Sequence, residues 1–577
     1  MPTPTIRWEV PPPAPPAIHA RLSHLHPIIV QVLYNRGLAD VEDVAEFFGQ
    51  RRRPDDPFRI KGVSQAVTRL RQAIRRQEPI AVYGDFDADG VTATALMVQT
   101  LAAFGADVMP YIPHRVDEGY GLNNEALKWL HDQGVRVVLT VDCGIRAVAE
   151  ATYAANLGLE MIISDHHSIG PTLPPALAVI NPRQADCSYH FDAFAGVGVA
   201  FKLAQALLRA EAAAPIAAAP VQLVEEDLLD LAAVGTVADI MPLRGENRLL
   251  VQRGLIELQR GRRPGLRALA KQARTPLEKI DAAAIGFRLG PRLNAAGRLH
   301  SAVLAYDLLM AADDQTAEPL AHQLDALNQE RQRLTQEAVK WAETELGDNP
   351  AENVLLVARA GLNPGIVGLI ASRLKEQYYR PALVVDLGEE EARGSARSIP
   401  AFHITEALDQ CADLLTRYGG HAAAAGFTLH RRHLPALRQR LNAIAAERLA
   451  PDTRVQHLPV DAVVHFKDLD FALLARLREL EPTGAENPPP TFAAADLLVQ
   501  GFRRVGGDAS HLKIKLSDGQ ITYEGIGFGL GERALDLPMR VDVAFELNEN
   551  VWNTHRSLEL MIKDIQPAGR GIPHESV

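Results

Sequence analysis

Between residues 79 and 181, short apolar runs alternate with amphipathic stretches. PIAVYG (79–84) reads as a strand, and VTATALMVQTLAAFG (91–105) as a helix stopped at Gly105. DVMPYIP (107–113), VRVVLTV (135–141), LEMIIS (159–164) and LAVIN (177–181) read as further strands, with helical spacing such as NNEALKWLHDQG between them. Strands alternating with helices predict an α/β domain built on a parallel, doubly wound sheet. Such a sheet takes its ligand beyond the carboxyl ends of its strands.

The remaining pattern divides the chain. Residues 1–60 read as a Pro-rich lead and N-terminal helical segment, and 61–310 as the parallel α/β domain, whose 221–310 stretch is helical and basic. Residues 311–349 read as a long connecting helix. Residues 350–452 form a second, smaller α/β domain: strand ENVLLVA, helix IVGLIASRLKEQY, strand ALVVDL, then GSARS and a helix ending in YGGHAAAAGF. In 453–567 the texture changes to LKIKLSD, ITYEGIGFG, RVDVAFELN and SLELMIKDI separated by turns, which predicts an OB-like, nucleic-acid-binding β-barrel. Residues 568–577 read as a loose tail.

Composition narrows the chemistry. No apolar run reaches the ~18 residues of a membrane span, and the opening MPTPTIRWEVPPPAPPA lacks the apolar core of a secretory signal, so the expected compartment is cytoplasmic. Cys143, Cys187 and Cys411 form no CxxC pair, so a metal would have to be held by Asp and His. The net charge of −11 argues against a general nucleic-acid coat, but residues 251–300 carry eleven Lys/Arg against three Asp/Glu, and 51–80 carry nine against three. Local basic stretches of this kind serve either as a groove for a polyanion or as a solvated helix face.

The strongest chemical signal is Asp85-Phe86-Asp87-Ala88-Asp89-Gly90, directly after the first strand. Three carboxylates so close repel one another and require a cation. A calcium EF-hand loop shares these six positions, but its twelfth would be Leu96 instead of Glu, and a strand instead of a helix precedes it. Asp142 (TVDCG) and Asp165-His166-His167 end two more strands, and Asp239 follows in GTVADIMPL. Three strand ends thus carry metal-competent side chains to one sheet edge. Carboxylates with imidazoles suit Mn²⁺ or Mg²⁺, and a pair of such ions suits hydrolysis of a phosphate ester.

GDFDADG, VDCG, SDHH and GTVADIMPL resemble the ordered motifs of the DHH phosphoesterase superfamily. IPHRVDEGYG (112–121), GPRLNAAGRL (290–299), GSARS (394–398), GGHAAAAGF (419–427) and EPTGAENPPPTF (481–492) resemble the RecJ family within it, over about residues 60–566. The resemblance implies DHH, DHHA1 and OB domains and single-stranded-DNA-specific exonuclease activity from the 5′ end, releasing 5′ mononucleotides in DNA repair and recombination. It implies Asp87, Asp89, Asp142, His166 and Asp239 as ligands of two divalent cations, with Asp85, Asp165, His167 and His421 in catalytic or supporting roles. Arg115, Tyr120, Arg298, Ser395, Arg397 and Gly420 fall where the family contacts the 5′ phosphate and terminal nucleotides. Single-stranded DNA is the implied partner, with a single-strand DNA-binding protein and a RecQ-type helicase expected at family level.

The sequence departs from the RecJ pattern at Leu362 and Asn363, where Trp-His is usual, and at Ala396, where Gly is usual. The alternative enzyme is a DHH phosphodiesterase acting on short oligonucleotides or cyclic dinucleotides; the OB-like end and the basic 251–300 stretch argue against it. A non-catalytic scaffold on the same fold would have lost carboxylates, and here every metal motif is intact.

Overall fold

The computed structural model describes residues 6–50, 56–115, 117–348, 350–450, 455–507, 509–552 and 555–572. Five parallel strands form the first sheet: β1 (Ile80–Tyr83), β2 (Val108–Tyr111), β3 (Val137–Val141), β4 (Glu160–Ser164) and β5 (Ala178–Ile180). Their spatial order is β2-β1-β3-β4-β5. The alternation along β1 builds both faces. Ile80 and Val82 point into the core beneath α1 (Ala88–Ala103) and α2 (Gly196–Ala213). Ala81 and Tyr83 point into the opposite core, under the helices Asn124–Asp132 and Val148–Leu157. The sheet is therefore doubly wound, and its strand order reverses between β1 and β3, the point where such folds bind ligands.

The helix α3 (Leu229–Ala238) packs on α1 and α2, and α4 (Gly290–Leu299) leads to the long helix α5 (Asp314–Leu346). At 33 residues α5 is about 50 Å long. Ala317, Ala321 and Leu324 belong to the first core, Ala338 and Ala342 to that of the second domain, so one helix joins both. The second sheet has the order Arg417–His421, Ala424–His430, Glu391–Arg397, Ala382–Leu387, Leu355–Arg359. The expected helix ending in YGGHAAAAGF is replaced by a β-hairpin over Arg417–His430. Alanine favours helix, but Ala425, Phe427 and Leu429 alternate into the core as this strand pairs with Glu391–Arg397. Tertiary pairing overrides the propensity.

The third body is a barrel: Phe492–Val505, His511–Ser517, Thr522–Gly527, His555–Pro567 and Arg540–Trp552 pair in sequence, and the last closes on the first. Its core includes Ile29, Val30, Val32 and Leu33 from the helix Pro27–Asn35. The N-terminal segment is thus part of the barrel, and strand Ile6–Glu9 pairs with Gln456–Pro459. The tail also differs from expectation. Ile572 is buried, and the N–H groups of Gly569 and Gly571 donate to Asp542 Oδ2 at 2.9 and 3.0 Å. Residues 573–577 lie outside the described residues. No helix among the described residues is long and apolar enough to cross a membrane.

EPTGAENPPPTF does more than lead into the barrel. The Arg248 side chain, 1% exposed, donates to the carbonyls of Phe47, Glu479, Leu480, Glu481 and Pro482 at 2.7–3.3 Å. Burial pulls this guanidinium down to about 10, which still leaves it charged at neutral pH. Five carbonyls of the barrel side converge on one cation of the first domain. Arg248→Met should therefore cost at least ~3 kcal/mol, since several buried acceptors lose a charged donor together. The expected readout is a lower unfolding midpoint and a barrel newly open to limited proteolysis; an unchanged midpoint would refute this bolt.

A candidate metal centre facing an arginine pocket

Asp87 caps α1, its Oδ1 accepting from the N–H groups of Asp89 and Gly90 at 3.0 and 3.1 Å. Asp89, 1% exposed, accepts from Gly196 N–H at 2.7 Å and Val197 N–H at 2.8 Å, the first turn of α2. Asp142 follows β3 in left-handed backbone, φ 63°. A Cβ on Gly196 would stand 2.4 Å from Asp142 Cβ, so only glycine lets α2 come this close. These two backbone donors and this contact were missed from the sequence; the glycine pair in AGVGVA was their only trace. Asn294 of α4 was missed too. Its Oδ1 accepts from Ala88 N–H at 2.8 Å, and Gly297, one turn on, lets Phe86 O approach.

Asp165 has both oxygens engaged: Oδ2 accepts from Ile145 N–H (2.9 Å), Oδ1 from His166 N–H (2.7 Å) and His167 N–H (3.1 Å), with His167 Nδ1 at 2.8 Å. Burial opposes its charge, but the hydrogen bond with His167 prevails and holds the carboxyl below its ordinary value. His166 Nε2 lies 3.1 Å from Asp142 Oδ1, 3.6 Å from Asp239 Oδ2 and 3.8 Å from Asp89 Oδ2. Asp239 reaches the cluster from the C-terminus of α3.

Three groups of potential ligand atoms result: Asp85, Asp87 and Asp142; Asp89, His166 and Asp239; and Asp142, Asp165, His166 and His167. Asp142 and His166 each belong to two of them. The protein alone does not satisfy these groups. Asp85 Oδ1, Asp142 Oδ1 and both His166 ring nitrogens are buried without a hydrogen-bond partner. Burial, then neighbouring carboxylates, push Asp89 up to about 7 and Asp239 to about 9, and raise Asp85 and Asp142 strongly. Burial, then His167, pulls His166 down to about 4 and leaves it a neutral, lone-pair-bearing ring. Stranded carboxylates around a neutral imidazole fit divalent cations.

The second domain closes over this edge. Arg298 of α4 donates from Nη1 to Gly365 O at 2.9 Å, within the loop where Leu362 and Asn363 depart from the family pattern. Arg397 donates to Ser395 Oγ at 3.0 Å; Ala396, the other departure, faces the core between them. Burial, then Arg115, Arg331 and Arg397, hold Arg298 down to about 9, and burial followed by Arg115 lowers Arg397. Arg115 itself lies over the Phe86 ring at 4.6 Å. The three guanidiniums are therefore close enough to repel one another, and Asp85 and Asp87 act on Arg115 from the carboxylate edge. The Tyr120 hydroxyl is 3.3 Å from His167 Nδ1. His421 stands at the cleft's rim, held below its ordinary value by partial burial, then by Arg397, His403 and His167. Gly420 precedes it on the edge strand, with no described contact to the cluster.

The basic 251–300 stretch does not form a track. Arg253, Arg260, Arg262, Arg263, Arg267, Lys271 and Arg292 are all ion-paired within the chain. On the barrel, Lys513 is paired with Glu559 and Glu524, and Lys515 with Glu524, while Arg503 is exposed and Arg504 donates to Ala509 O. The Trp552 side chain lies outside the described residues.

The doubly wound sheet, its carboxylate-and-imidazole edge and the arginine pocket facing it define a metal-dependent phosphoesterase of the DHH class. Residues 79–236 match the model of the DHH family N-terminal domain, 352–447 that of the DHHA1 domain, and 460–564 that of the RecJ OB domain. The single-stranded-DNA-specific exonuclease RecJ of Bacillus subtilis is 40% identical over 571 residues, 97% of this chain and 70% of that protein. Its Escherichia coli counterpart is 36% identical over 88% of this chain and 91% of its own. Among solved structures, Thermus thermophilus RecJ in complex with Mn²⁺ matches with a TM-score of 0.84 and 34% identity, covering 97% of this chain and 80% of that one. The same protein with Mg²⁺ matches at 0.78 and 31%, covering 97% and 78%. The chain belongs to the RecJ family of exonucleases.

Proposed function

We propose that this chain degrades single-stranded DNA from the 5′ end, releasing 5′ mononucleotides, with two divalent cations, Mn²⁺ or Mg²⁺. The observation that carries the reading is the juxtaposition of an unsatisfied carboxylate–imidazole cluster with a three-arginine pocket. Asp87, Asp89, Asp142, His166 and Asp239, with Asp85 beside them, hold the cations, and Asp142 serves both. When bound, the cations supply a water activated at neutral pH and offset charge at phosphorus. Arg115, Arg298 and Arg397, with Ser395, hold the terminal 5′ phosphate; arginine's planar fork suits this dianion. Tyr120 packs the terminal nucleotide, Asp165 orients His167, and His421 contacts the scissile phosphate, with Gly420 bringing backbone close to it. Arginines that held the terminal phosphate beside the cations would make cleavage depend on a strand end.

The barrel favours long strands over the short substrates of smaller DHH enzymes. A RecQ-type helicase and a single-strand DNA-binding protein suit the role of supplying and presenting the strand. Three free cysteines suit the reducing cytoplasm, and the work there is DNA repair and recombination. The test is digestion of single-stranded DNA labelled at either end, with Mn²⁺ and with chelator. Release of the 5′ label first, lost on chelation, is expected; 3′ label first would overturn the polarity.

A further inference from the structure

Each outer strand of the parallel sheet runs into an arginine-bearing loop. β2 leads to Arg115 in the end pocket; β5, at the opposite edge, leads to Asn181-Pro182-Arg183-Gln184. Four strand spacings of ~4.8 Å set the two strand ends roughly 19 Å apart, with the acidic ends of β1, β3 and β4 between them. The Asn181–Gln184 turn is held from below. Asn181, fully buried, donates to His167 O at 3.0 Å and accepts from Arg183 N–H at 2.9 Å. Gln184, 6% exposed, donates to Val179 O at 3.0 Å and Asn181 O at 3.2 Å.

The Arg183 side chain on this fixed turn is exposed, and its guanidinium makes no ion pair or hydrogen bond among the described residues. It contrasts with the neutralised arginines of the 251–300 stretch. Its turn is nevertheless tied to the cluster: Asn181, which accepts from the Arg183 N–H, donates to the carbonyl of His167 at the end of β4.

A free guanidinium on a pre-formed turn, across the metal centre from the end pocket, suits a phosphate of the substrate backbone. We propose that Arg183 binds a DNA phosphate on the 3′ side of the scissile bond, so that the strand is held at both ends of the sheet edge. This rests on the polarity proposed above, with the 5′ end at Arg115.

The test uses the full chain with Mn²⁺ and 5′-phosphorylated oligodeoxythymidylates. Arg183→Ala should lower kcat/KM on long strands roughly 10-fold or more, the effect of losing a charged hydrogen bond, mainly through KM. The slope of log(kcat/KM) against log salt should become shallower by about 0.7, one phosphate contact on a single strand. Arg183→Lys should keep most of the slope. A 5′-phosphorylated dinucleotide has no phosphate beyond its single scissile bond, so its cleavage should be little changed. The preference for 5′-phosphate over 5′-hydroxyl ends should also persist. An unchanged salt slope, or equal loss on the dinucleotide, would overturn the proposal. Failure of the polarity would appear separately, as 3′ label released first by the wild-type enzyme, whereas the salt slope reads Arg183 in either case.

Discussion

Asp142→Asn should abolish DNA cleavage, by about 10³-fold or more, while leaving the fold intact. The magnitude follows from losing several kcal/mol of cation-borne stabilisation at 1.36 kcal/mol per decade of rate. Asp142 directly follows the strand between the other two ligand-bearing strands and belongs to two of the three ligand groups. Among the described residues no other carboxylate belongs to two groups. Asparagine is the informative replacement, because the φ of 63° at this position is one that Asn tolerates and Ala does not. The metal-free variant should unfold at a higher temperature than the metal-free wild type, since a buried carboxylate amid like charges has been removed. Added Mn²⁺ should stabilise it much less. Near-normal turnover with normal Mn²⁺ stabilisation would refute the shared-ligand role.

Arg298→Ala should cost about 1.5–3 kcal/mol in kcat/KM on 5′-phosphorylated ends, the worth of a charged hydrogen bond, and much less on 5′-hydroxyl ends. Arg298 is half-buried with Arg115 and Arg397 as neighbours, a concentration of positive charge that Asp87 offsets in part and a bound anion would relieve further. It also anchors the second domain through Gly365 O. The two roles separate in the measurement: loss of the anchor alone would lower activity equally on both kinds of end, and that outcome would sink the end-recognition role.

How much of this was legible in the chain follows from range. β1, β3 and β4 each end in their acidic residues at one edge, as alternating apolar runs imply, because a parallel sheet places its carboxyl ends together. The five metal-ligand candidates of the sequence reading all lie in the cluster. The hairpin at Arg417–His430 was misread because Ala and Gly carry little side-chain pattern, and partner strands decided its state. The 251–300 charges could be read either as a groove or as a solvated face because most of their partners, such as Asp314, Glu318 and Asp325, come from α5 or from earlier helices. The N-terminal helices looked separate because the barrel core they complete lies more than 400 residues away.

By itself, then, the sequence determined the doubly wound sheet, its carboxylate edge and the family to which the motifs belong, all local patterns of period, spacing and residue type. Only the tertiary structure decided which cations stay free. Arg248 is spent on five carbonyls and seven arginines and lysines of one basic stretch on ion pairs, whereas Arg115 and Arg183 remain available at the two ends of the site. A charge is available to a ligand only if nothing in its own chain neutralises it first, and that depends on neighbours the linear order does not show.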